Sequence, residues 1–177
     1  MRSHLKQMTL RPQDMLVLLK LACHGDYAYT YPELSVDLGI SVSEAHGSKK
    51  RLVSAQLLVP GGESASIVNR TATREFVIRG ARYTFPATIG TLARGMPTAY
   101  SAAPLAEMLA AQTEDAMVWP TPDGNTRGVT LTPLYPSVPA AASKDPELYE
   151  CLALFDALRA GSTRERELAA TLLERKL

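Results

Sequence analysis

The chain has 177 residues, 46% apolar and 21% charged, with a net charge of +1 and two cysteines. That is enough apolar material to bury a core without disulfide staples, and the charge balance argues against a long disordered tail. The balance is uneven: residues 1–100 hold 12 Lys/Arg against 7 Asp/Glu, and residues 101–177 hold 7 against 11, so the front half is the one suited to a polyanion.

Residues 1–10 read as a short loose arm. The start, MRSHLKQMTLRPQ, lacks the apolar centre of a secretory signal, and no stretch approaches the ~20 apolar residues of a membrane span. A cytoplasmic protein with no membrane partner is expected. Pro12 opens a first helix in which Met15, Leu16, Leu18, Leu19, Ala22 and Cys23 make one broad buried face, and Gly25-Asp26 stops it. Cys23 and Cys151 both sit in apolar helical surroundings and read as core thiols of a reducing compartment. Cys23-His24 alone is poor metal-ligand spacing, and no metal or cofactor is expected.

Thr30, with Pro32 and Glu33 behind it, forms a capping box for a short second helix. Leu34 and Leu38 give it one apolar face, and Gly39 ends it. Ser41-Val42-Ser43-Glu44 is a second capping box, with Ile40 as its staple residue, and opens a third helix reaching about Gln56. On that helix Val42, Ala45 and Leu52 are expected to face inward. Ser43, His46, Gly47 and Lys50, at i, i+3, i+4 and i+7, share the opposite stripe. Leu57-Leu58-Val59 reads as a short extended segment ended by Pro60-Gly61-Gly62.

Asn69 caps an expected helix over residues 70–79, with Ala72, Phe76 and Val77 inward and Gly80 as its stop. A strand through Phe76-Val77-Ile78 is the alternative, but Thr73-Arg74-Glu75 shows no period-two alternation. Residues 86–104, rich in Pro, Gly, Ala and Thr, read as an irregular connector. After a short helix over residues 105–112, Asp123-Gly124 between two apolar stretches signals a short hairpin, held to an edge by Pro120 and Pro133. Asp145-Pro146-Glu147 starts a helix with Leu148, Leu152, Phe155 and Leu158 on one face, stopped at Gly161. Ser162 and Glu165 form a third capping box for the last helix. There Leu168, Leu172 and Leu173 make a narrow apolar stripe that serves either a dimer contact or the protein's own core. Tyr83, Phe85, Met96, Tyr100 and Trp119 are candidates for lining a ligand pocket or for the core.

The expected fold is mainly α within the α+β class: a helix-turn-helix domain over residues 1–85, a connector over 86–104, and a C-terminal region over 105–177 with a short hairpin and two helices. Two helices joined at Gly39-Ile40-Ser41, the second carrying the basic groups, are the layout of a DNA-reading helix pair. Ser43 and Gly47 allow close approach, and His46 and Lys50 are donors for base edges. Lys49 and Arg51 flank the stripe as phosphate contacts, with Thr30, Tyr31, Ser41, Arg70 and Arg74 as further candidates. No nucleophile elbow, phosphate-loop lysine or His-Glu-x-x-His pair appears, so no enzyme is expected.

The segment TYPELSVDLGISVSEAHGSKKRLVSAQLL resembles the DNA-binding part of bacterial MarR-like winged-helix regulators, over about residues 10–60. The resemblance implies a winged-helix fold and a transcription regulator that binds double-stranded DNA, here expected to be a homodimeric repressor. In one respect the chain departs from the pattern: Pro60 to Ser66 is short and shows no obvious paired strands, so the wing is expected to be reduced or absent. The rival expectation is an antitoxin or adaptor whose acidic C-terminal half grips a protein partner, with DNA binding for autoregulation.

Overall fold

A computed structural model describes residues 8–25, 27–61, 66–109 and 115–177. Most of the expected loose arm, and the last residues of the helix expected to reach 112, lie outside the described residues. The fold is α+β and mostly helical. It begins with α1 (Pro12–Cys23), α2 (Tyr31–Leu38) and α3 (Val42–Ser54). An antiparallel hairpin follows, β1 (Leu58–Pro60) with β2 (Ser66–Val68), Leu58 standing opposite Val68. The sequence hides this hairpin because each strand has three residues, too few for alternation to register.

The helix expected over 70–79 is present and longer. It runs as α4 (Arg70–Glu75), a π-helical turn (Phe76–Gly80) and α5 (Ala81–Thr84). The wider π turn carries the chain past Gly80, so the expected stop is passed without a break. Residues 86–104 are not an irregular connector. They hold β3 (Ile89–Pro97) and a 3-10 turn (Ala99–Ser101), followed by α6 (Leu105–Met108).

Then come β4 (Ala116–Pro120) and β5 (Thr126–Leu131). These two flank the expected Asp-Gly turn, yet they do not form a hairpin. Each pairs antiparallel with β3, and they meet each other in parallel register, closing a small three-stranded barrel. Three glycines make such tight closure possible. A Cβ on Gly95 would overlap the Trp119 carbonyl, one on Gly128 the Ala116 carbonyl, and one on Gly124 the backbone of Gly95.

The chain ends in α7 (Val138–Ala142), α8 (Pro146–Ala160) and α9 (Thr163–Lys176). Asp14 to Ala22 of α1 are all buried, as are Leu148 and Cys151 to Leu158 of α8. Both helices are thus buried beyond the single face that periodicity predicts for each. A single apolar cluster runs through them from Met15 to Leu177. The stripe on α9 belongs to it: Leu173 is fully buried, and Leu168 and Leu172 pack against the same core. Of the five candidates for a pocket or the core, Phe85 and Trp119 belong to the core, Met96 and Tyr100 pack against it, and Tyr83 is 74% exposed.

The cysteines are not free thiols. Cys23 at the end of α1 and Cys151 in α8 are joined in a disulfide across a sequence separation of 128. Closing so long a loop restricts the unfolded chain strongly. Reduction, or the Cys23→Ala/Cys151→Ala pair, is expected to lower stability by about 2–4 kcal/mol. Urea unfolding with and without reductant measures it, and superimposable curves would show that the bond contributes nothing. No helix among the described residues is long and apolar enough to cross a membrane.

Candidate nucleic-acid interface

The α2–α3 pair is built by local signals. Thr30 Oγ1 accepts from Glu33 N at 3.3 Å while Glu33 Oε2 accepts from Thr30 N at 2.8 Å. Ser41 and Glu44 repeat the pattern at 3.1 and 2.9 Å. Between the helices Gly39 takes a left-handed φ of 62°, and its N–H closes α2 on Ser35 O. Ile40, 5% exposed, fills the angle of the turn.

The exposed stripe of α3 is as the spacing predicts. Ser43, His46 and Lys50 face solvent and Gly47 is half-buried beside them, while Ala45 and Leu52 are fully buried. Tyr31, from the first turn of α2, packs edge-on against His46 with ring centroids 5.2 Å apart. This brings one expected phosphate contact alongside the stripe. Val42 departs from its expected inward place: it is 47% exposed, at the first helical position of α3.

Several expected phosphate contacts are occupied elsewhere. Lys49 is 4% exposed, and its Nζ donates to the Tyr29 carbonyl at 2.7 Å and lies 4.9 Å above the Tyr31 ring. Burial pushes its pKa down. Periodicity puts it at the flank, but its four-carbon stem folds back between α2 and α3. Arg51 grips Asp14 of α1 in a bidentate pair, Nε to Oδ2 at 2.7 Å and Nη2 to Oδ1 at 2.6 Å. Asp14 is fully buried, so this arginine is a structural strut. Arg70 donates to the Leu177 carbonyl at 2.8 Å and ties α4 to the end of the chain. The Thr30 and Ser41 hydroxyls donate to Glu33 and Glu44, so a carboxylate already sits at each helix start. Arg74 alone of these candidates is exposed and free of partners among the described residues.

Glu33 is held below the usual carboxylate range by the Thr30 N–H and hydroxyl and by Tyr27. Glu44 is held low by the Ser41 N–H, the Tyr135 hydroxyl and the Ser41 hydroxyl. The Tyr135 contact, 2.9 Å from Glu44 Oε1, comes from the segment before α7. Ser137 of that segment donates to Leu38 O, and its Cβ lies 3.2 Å from where a Gly39 side chain would begin. The C-terminal half therefore braces the turn directly.

Behind the pair, Lys20 is 4% exposed and bridges Asp37 of α2 at 2.8 Å and Asp145, the cap of α8, at 2.7 Å. Burial opposes its charge, but the two carboxylates outweigh burial and raise its pKa. His24 reaches the same Asp145 oxygen at 2.7 Å. Sequence reasoning missed these partners because each is an isolated charge, separated by up to 125 positions. The chain matches no protein-family model, no curated protein and no solved structure.

Proposed function

We propose that residues 12–68 form a winged helix-turn-helix and that the protein is a sequence-specific regulator of transcription, bound to double-stranded DNA through α3. The supporting observation is the stripe Ser43, His46, Gly47 and Lys50: small, polar and basic, open to solvent, on a helix whose other sides are fixed by Leu52, Lys49 and Arg51. A groove-reading helix needs that combination of a free face and a rigid mount. In this reading the β1–β2 hairpin, which follows α3 and has Val59 and Ile67 exposed on it, serves as the wing.

In this reading two copies place their α3 helices in successive major grooves, roughly 34 Å apart. The α9 leucines pack on their own core, so the dimer contact lies on another surface. His46→Ala and Lys50→Ala are each expected to weaken binding to the preferred site by about 1–3 kcal/mol and to relax preference there. Selection of bound fragments from genomic DNA, followed by mobility shifts with both variants, is the test. Recovery of random fragments, or variants that bind the selected site as well as wild type, would remove α3 from the interface. A stoichiometric protein partner in native extract, without DNA, would favour the adaptor reading.

A further inference from the structure

Arg94 on β3 and Arg127 on β5 are directly opposed across an antiparallel pair. Residues in that relation point to the same face, with side chains within reach of each other. Both are exposed, and neither has a hydrogen-bond or ion-pair partner among the described residues. Like charges directly opposed cost the sheet stability. The backbone leaves these two side chains no choice of face. On the other side of the ribbon Gly95 and Gly128 lie against the β4 carbonyls of Trp119 and Ala116 so closely that no side chain fits. The chain at Arg94 is also pinned, since its carbonyl accepts from Thr121 N.

The geometry points to Arg94 and Arg127 as an anion clamp for the phosphodiester backbone of DNA, a second contact separate from α3. Two guanidinium groups set on one face by a fixed backbone, unpaired among the described residues, suit phosphate oxygens, which arginine binds by paired N–H donors. The unfavourable opposition in the free protein would be relieved when the anion arrives. This inference rests on the DNA-binding reading above.

The test uses the full chain and a labelled mixed-sequence duplex, with anisotropy followed from about 50 to 200 mM salt. Arg94→Thr/Arg127→Thr is expected to bind more weakly, with a log–log salt slope shallower by about 2. Arg94→Lys/Arg127→Lys should keep the wild-type slope, and the preferred site should not change in either. Without DNA, each single Thr variant is expected to melt about 1–4 °C higher than wild type. A Thr double variant with the wild-type slope overturns the clamp and leaves α3 untouched. Thr variants that melt no higher overturn the like-charge argument for it. Wild type that binds no duplex at low salt overturns both readings. Capture of polyglutamate by wild type but not by the Thr variant, with no duplex bound, assigns the pair to an acidic protein instead.

Discussion

Arg51→Ala is expected to destabilise the fold by about 3–5 kcal/mol, far more than an exposed basic residue on the same helix. The carboxylate of Asp14 has no exposure, and Arg51 supplies two of the N–H groups that neutralise it, the third being Arg11 N at 2.8 Å. Removing the guanidinium leaves a buried anion with one backbone donor. Lys50→Ala, one residue earlier and exposed, should change stability by no more than about 0.5 kcal/mol. The contrast separates two roles that look identical in the run Lys49-Lys50-Arg51. If Arg51 held a phosphate, its loss would flatten the salt slope of DNA binding and spare stability. As a strut it does the reverse: urea unfolding shifts, while the salt slope of DNA binding stays as in wild type. A double cycle with Asp14→Ala should return a coupling of at least about 1.5 kcal/mol, because the two residues act as one unit. Additive effects would show that α1 and α3 are not joined through this pair.

Capping boxes at Thr30, Ser41 and Ser162, and the Gly39 corner, were readable because each involves residues within four positions of one another. The exposed stripe of α3 was readable for the same reason. Long-range partnerships were not. Nothing near Lys49 signals that the Tyr29 carbonyl will capture it, and nothing near Arg51 names Asp14, 37 residues away. The three-stranded barrel was missed because Gly95 sits in a segment that reads as a connector and Gly124 in one that reads as a hairpin turn. Gly95, Gly124 and Gly128 are there for backbone contact across the barrel, a reason invisible until the strands meet. The disulfide was missed on the same ground, since cysteines 128 positions apart in apolar helices read equally well as core thiols.

The second large effect lies in the core behind β4. Asp156 is buried and accepts from Trp119 Nε1 at 2.6 Å and Thr98 Oγ1 at 2.9 Å. Arg159, one turn on, has a side chain only 4% exposed and places Nη1 3.3 Å from Asp156 Oδ1. Asp156→Ala removes the acceptor for two buried donors and the anion facing a buried cation, at an expected cost of about 3–5 kcal/mol. Asp156→Asn keeps an acceptor oxygen and should cost less, and its comparison with wild type carries a pH signature. Burial raises the Asp156 carboxyl to about 6, against the pull of Arg159, Thr98 and Trp119. Between the ordinary range near 3.8 and that value, the folded protein holds a proton that the unfolded chain has released. Stability from this group is therefore greatest at the acid end and falls as pH rises through 6. A gap of about two between folded and unfolded pKa corresponds to about 3 kcal/mol. Wild type should thus lose about that much relative to Asp156→Asn between pH 4 and pH 7, measured by urea unfolding of both at each pH. A difference that stays flat, or that grows in favour of wild type with rising pH, would mean that the carboxylate is ionised throughout and that its three neighbours outweigh its burial.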